Sequence, residues 1–199
     1  VNAGIDFEQS CQFAYEKNNA ARFIHADITT IDSAEILNLY PIGDIKILAG
    51  CAPCQPFSKY THRYRKDGYK DDKWKLLYSF GKIISDIHPE IIAMENVPEL
   101  RNAHVFIDFL NKLEQSGYHV YTTVAFCPDY GVPQNRKRLV LLASQLGRIQ
   151  LIPPTRTPET YITVREAIGQ LTAITAGEVD ENDIMHRATS LSKKNLSRI

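Results

Sequence analysis

Apolar runs of strand length recur along this chain with amphipathic stretches of helical period between them, and that alternation constrains the fold more than any other feature. Val1–Asp6, Arg22–Ile28, Asp44–Gly50, Glu90–Val97, Tyr118–Phe126 and Arg138–Ser144 read as strands. Between them, FEQSCQFAYEKNN places Cys11, Phe13, Ala14 and Tyr15 on a roughly helical face, and SAEILNLY reads as a short helix with Ser33 as its N-cap. WKLLYSFGKIISDIH repeats apolar residues at Leu76, Leu77, Phe80, Ile83, Ile84 and Ile87, and Pro89 stops it. VFIDFLNKLEQSGY is helical with Gly117 as its C-terminal stop. Strands alternating with helices predict an α/β fold built on a doubly wound, mostly parallel sheet.

Such sheets bind ligands at the carboxyl ends of their strands. Asp6, Asp27, Cys54, and Glu95 with Asn96 each lie at or just beyond the end of an apolar run, so the fold is expected to gather them along one edge. The 199 residues, 44% of them hydrophobic, suffice for one ordinary domain core. Residues 1–149 read as that domain, and the proline-bearing stretch QLIPPTRTPET opens a linker and connector over 150–199. The chain starts inside a strand without methionine and stops on a polar run, which suggests a piece of a larger protein. Lys+Arg and Asp+Glu both number 23, so a chain of this charge either does not bind nucleic acid or binds it with help from elsewhere. With no apolar run long enough to span a bilayer, no signal peptide and four irregularly spaced cysteines, the expectation is a cytoplasmic protein with reduced thiols.

Cys51 and Cys54 leave several readings open. A structural zinc site wants four ligands, and neither a second C-x-x-C nor a nearby histidine pair is present, so no metal is expected. A redox pair would have different flanks, and two buried thiols acting as small apolar residues is the commonest role of free cysteine. Cys54, set between prolines where the chain leaves the core, reads better as an exposed nucleophile, with Cys51 a bystander. Glu95 sits between apolar Met94 and Val97, flanks that would take its carboxyl out of water as a general acid needs. Arg136 and Arg138, two apart in QNRKR, would share a face if extended and offer planar donors to a carboxylate, phosphate or base carbonyl.

Three segments in this order, GCAPCQPFS (Gly50–Ser58), ENV (Glu95–Val97) and DYGVPQNRKR (Asp129–Arg138), resemble the DNA (cytosine-5)-methyltransferase family. The resemblance implies a Rossmann-like, S-adenosylmethionine-dependent fold that methylates C5 of a cytosine flipped out of double-stranded DNA. On that likeness Cys54 is the nucleophile, Glu95 binds the ring, and Arg138 holds O2 and orients Glu95. Arg136 supports the nucleophile and the flanking phosphate, Pro53 shapes the strand-end turn, Asn96 fixes the local backbone, and Gln134 belongs to the same catalytic set. IDFEQSCQFAYEKN and HADIT match the cofactor segments, implying Asp6 at the ribose and Phe7, Asp27 and Ile28 at the adenine, with Leu76 near the methionine end. Ser58–Lys73, basic and tyrosine-bearing with Gly68 as a hinge, matches a lid that closes over DNA. The family's glycine-rich cofactor loop and its target recognition domain are not in this sequence, so the chain by itself is expected to be incomplete for activity. Implied partners are duplex DNA, a functionally linked restriction endonuclease and, if the enzyme is split, a second polypeptide. The competing readings are a tRNA cytosine-5 methyltransferase of the same family and a non-catalytic methyltransferase-fold binding module.

Overall fold

The computed structural model describes residues 2–52 and 75–198. Its strands form two sheets. Strands β1 (Ala3–Asp6) and β2 (Arg22–His25) pair in parallel, with the helix α1 (Gln12–Asn18) between them in sequence. Strands β3 (Ile47–Gly50), β4 (Ile91–Asn96), β5 (His119–Phe126) and β6 (Lys137–Ser144) form the second sheet in the order β3-β4-β6-β5. β3 and β4 are parallel, whereas β6 runs antiparallel to both β4 and β5. The expected α/β alternation is present, with the refinement that the sheet is mixed. β5 and β6 are joined by residues 127–136 with no crossover helix between them, and a connection of that length suits antiparallel neighbours.

The helices that cover this second sheet follow their sequence period. α3 (Lys75–Ile87) buries Leu77, Phe80, Ile83, Ile84 and Ile87, and α4 (His104–Gln115) buries Phe106, Phe109 and Leu113. Alternation along the strands supplies the matching face: Ile92 and Met94 of β4 and Leu139, Leu141 and Ala143 of β6 belong to the same core. Full burial of a leucine or isoleucine contributes about 1.5–3 kcal/mol, so this helix-on-sheet layer holds most of the domain's stability. Gly50, the last residue of β3, has no space for a side chain, because a Cβ there would fall 2.5 Å from Phe80 Cε2. A second cluster of Ile36, Ile83 and Ile87 joins α3 to α2 (Ser33–Leu37), with Ile5 and Ile28 packed against it. α3 is thus shared by both sheets.

Helix ends follow local chemistry. Asp32, not Ser33, caps α2: its carboxylate accepts from the amide of Ala34, while the Ser33 hydroxyl donates to Asp86 of α3 at 2.5 Å. Either residue type can cap, and the tertiary bond to Asp86 occupies the serine. Gly117 ends α4 at φ 85°, with Gly117 N–H bonded to the Glu114 carbonyl and Tyr118 N–H to the Leu113 carbonyl. This doubled bond is the Schellman arrangement that glycine permits. No described helix is long and apolar enough to cross a membrane.

The stretch 150–160, expected as a linker, and Tyr161 after it lie against the turn after β5. Thr155 and Arg156 amides donate to the Asp129 carbonyl at 2.9 and 3.0 Å, and the Tyr161 hydroxyl donates to the Asp129 carboxylate. Tyr161 also meets Phe126 edge-on at 5.9 Å. Farther along, α5 (Val164–Ile168) starts on a capping box between Thr163 and Glu166, and α6 (Lys193–Leu196) starts on Ser192.

Lys46 and Glu90 pin β3 and β4 together where both begin. The Glu90 carboxylate accepts from Lys46 Nζ at 3.0 Å and from the Lys46 amide at 2.7 Å. These bonds, the side-chain one first, hold the Glu90 carboxyl below its ordinary value of 4.5. The folded state therefore favours the carboxylate, so the pair stabilises fully above the unfolded value and its contribution fades as pH falls through the lowered folded one. Glu90→Gln should lower the urea midpoint at neutral pH and flatten the loss of stability on acidification below about pH 4.5. Urea melts of both proteins at a series of pH values check this; parallel acid limbs would remove Glu90 from the account.

Candidate active site

Three adjacent strands bring Cys51, Glu95 and Arg138 into one row. In the parallel pairing Gly50 lies opposite Met94, so the next residue, Cys51, falls beside Glu95. In the antiparallel pairing Glu95 lies opposite Val140, which makes Arg138 its diagonal neighbour on the same face. Contacts follow this register. Arg138 Nε lies 2.5 Å from Glu95 Oε1, and Cys51 Sγ donates to Glu95 Oε2 at 3.0 Å. Each carboxylate oxygen therefore has one partner from a different flanking strand. Arg138 also donates through a terminal nitrogen to the Lys137 carbonyl at 2.8 Å, which fixes the guanidinium over the strand start.

Asn96 locks the same junction from beneath. Its side chain is buried, its amide donates to the Ala52 carbonyl at 2.8 Å, and its Oδ1 accepts from Val97 N–H at 2.8 Å. The backbone that leaves β3 is thereby fastened to the end of β4 at Ala52, the residue preceding Pro53. Pro53 and Cys54, with Ser58–Lys73, the segment expected to be a lid, lie outside the described residues.

Strand alternation corrects the expectation for Glu95. Met94 faces the core, so it cannot desolvate its neighbour, which points to the opposite face. The Glu95 side chain is 41% exposed among the described residues, and a guanidinium accompanies it instead of apolar cover. Gln134 and Arg136 are exposed in the segment before β6, where the Arg136 carbonyl accepts from the Cys127 amide at 2.8 Å. This bond carries the β5–β6 register one residue beyond β6, which begins at Lys137.

Of the expected cofactor residues, Asp6, Phe7, Asp27 and Ile28 lie at or just beyond the ends of β1 and β2, and Leu76 lies on α3. Asp6 ends β1 opposite His25, the last residue of β2, and the His25 ring bonds the Phe7 carbonyl at 2.8 Å. The exposed Asp6 carboxylate accepts from Glu8 N–H at 2.8 Å through one oxygen, and Phe7, the next residue, is 70% exposed. Asp27 accepts from the amide and the hydroxyl of Thr29, both at 2.8 Å, and these bonds hold its carboxyl below the ordinary aspartate value. Ile28 is half-buried against the α2–α3 cluster, and Leu76 is half-buried in the first turn of α3. A carboxylate with a spare oxygen next to an open aromatic face is a donor set suited to a ribose and its purine.

The family model for C-5 cytosine-specific DNA methylase matches residues 1–198. The chain belongs to the C-5 cytosine-specific DNA methylase family. It is 51% identical over 202 residues to the type II methylase M.HgiDII of Herpetosiphon aurantiacus, covering 100% of this chain and 56% of the relative. The type II methyltransferase M.NlaX of Neisseria lactamica is 34% identical over 131 residues, which is 64% of this chain and 39% of that protein. The chain therefore spans about half the length of the curated relatives it matches. Among solved structures, a protein described as a prophage-encoded DNA modification methyltransferase (E. coli) superposes with a TM-score of 0.70 at 18% identity, covering 90% of this chain and 51% of that one. That likeness shows the methyltransferase fold. In this methylase chain Cys51 is the residue that sequence reasoning set aside as a bystander. The signal that would have found it is pairing register: a residue one beyond the end of β3 must sit beside the residue one short of the end of β4.

Asn96→Ala should destabilise the protein by about 1–3 kcal/mol, because Ala52 and Val97 each lose a buried partner. Asn96→Asp keeps the shape but turns the donor toward Ala52 into an acceptor, and should cost at least as much. Urea unfolding measures both; wild-type midpoints would mean the bond to Ala52 is not formed.

Proposed function

We propose that the protein transfers a methyl group from S-adenosylmethionine to C5 of a cytosine in DNA, as the modification enzyme of a restriction–modification system. The observation that carries this reading is the Cys51–Glu95–Arg138 row at the exact point where the chain enters Pro53–Cys54, in a chain of the cytosine-5 methylase family. Arg138 and the ENV segment stand together at the end of β4, as the chemistry of a bound pyrimidine requires.

In this mechanism the Cys54 thiolate forms a bond to C6 of a flipped cytosine, and the electron pair of the C5–C6 double bond moves to C5. Glu95 faces N3 and the exocyclic amine and offsets the charge that addition places on the ring. Arg138 reaches the base O2 while its Nε keeps Glu95 in orientation. After methylation, loss of the C5 proton restores the double bond and expels the Cys54 sulfur. Asp6 and Phe7 would hold the ribose and adenine of S-adenosylmethionine, with Asp27, Ile28 and Leu76 completing the site. Bound there, the cofactor supplies an electrophilic methyl group. The division at residue 150, with 150–199 leading toward a recognition domain, belongs to the same proposal.

The experiment is methyl transfer from labelled cofactor by the full-length protein, with duplex DNA and tRNA compared as acceptors, alongside trapping on DNA containing 5-fluorocytosine. DNA should be the acceptor, and Cys54→Ser should abolish both transfer and the trapped adduct. Transfer that survives in Cys54→Ser contradicts the covalent mechanism; transfer to tRNA alone assigns the other acceptor; a protein that binds DNA without forming an adduct is a binding module.

A further inference from the structure

The described surface offers one group that the proposed chemistry does not yet use and that touches it directly, the thiol of Cys51. We propose that Cys51 is a positioning residue for Glu95: its S–H donates to Oε2 and, with Arg138 on Oε1, sets the plane in which the carboxyl meets the base. This rests on the reading above that Glu95 binds the base.

Four observations fix the geometry. Gly50 is paired with Met94 in the sheet and lies so close to α3 that an added Cβ would fall 2.5 Å from the Phe80 ring. Ala52 is held through its carbonyl by the buried Asn96 at 2.8 Å. Cys51 is therefore fastened on both sides, and its side chain is delivered beside Glu95 by the parallel register of β3 and β4. Finally, its sulfur lies 3.0 Å from Oε2, on the oxygen that Arg138 does not engage.

Glutamate has three side-chain torsions, and a side chain 41% exposed has room to rotate about them. One strong bond to Arg138 fixes one oxygen and leaves rotation about that contact. A second donor at Oε2 removes it. Each carboxylate oxygen accepts more than one hydrogen bond, so a thiol donor orients Glu95 without using up the acceptor that an exocyclic amine needs. Cys51 forms no covalent bond in this role.

The test uses Cys51→Ala and Cys51→Ser in the full-length protein, with rates taken per folded molecule from urea unfolding. Cys51→Ala should lower kcat for DNA methylation about threefold to tenfold, the loss expected of one hydrogen bond, with KM for S-adenosylmethionine unchanged. Cys51→Ser, which restores a donor in nearly the same volume, should recover most of that loss. Alanine and serine variants equally impaired, or a fall confined to stability or cofactor KM, would make Cys51 a packing residue and overturn the positioning role. So would an alanine variant that turns over at the wild-type rate. Wild-type protein that transfers no methyl group to DNA fails on a different control, and overturns the proposed function together with this role.

Discussion

The contact between Arg138 Nε and Glu95 Oε1 depends on the direction of one strand. Were β6 parallel to β4, its first residues would lie at the far end of the sheet from Glu95. Running antiparallel, β6 begins where β4 ends, and its second residue falls diagonal to Glu95 on the same face. A half-exposed ion pair contributes only about 0–1 kcal/mol to stability, so fold energetics does not account for it. Its consequence is orientation: a carboxylate with a fixed plane at the mouth of the sheet, one oxygen on a guanidinium and one on a thiol.

Packing beneath the site keeps that junction from drifting. α3 and α4 lie on the face carrying Ile92, Met94, Leu139 and Leu141, so the two central strands are held from below by side chains excluded from water. Lys46 and Glu90 tie β3 to β4 where the strands start, and Asn96 ties them where they end. A slip of one residue between these strands would turn Met94 outward and Glu95 into the core, at a cost in both burial and charge desolvation. Register and site geometry are therefore enforced by the same apolar alternation.

Much of this was legible in the sequence because it is periodic. The helical spacing of Leu77, Phe80, Ile83, Ile84 and Ile87 announces α3, and the strand runs ending in Asp6, Gly50 and Asn96 each appear as strands. Gly117 stops its helix as its conformational freedom predicts. Four things were not legible. Chain direction in the sheet depends on tertiary order, so the antiparallel entry of β6 could not be read from a run of apolar residues. Desolvation of Glu95 was inferred from sequence neighbours, but neighbours on a strand face opposite ways. The part played by Cys51 needs the register of two strands more than forty residues apart in the chain, and its flanks carry no trace of it. The linker over 150–160 was marked by its prolines; that Asp129 holds it is a long-range bond the prolines do not encode.

The claim on which all of this stands is that Glu95 and Arg138 act as one unit, and a double-mutant cycle on DNA methylation measures that coupling directly. Initial rates for Glu95→Gln, Arg138→Gln and the double variant of the full-length protein should show the double variant nearly as active as the slower single variant, since either change already dismantles the pair. If the two losses instead multiply, Glu95 and Arg138 act independently, and the row across β3, β4 and β6 is not the device that orients the base.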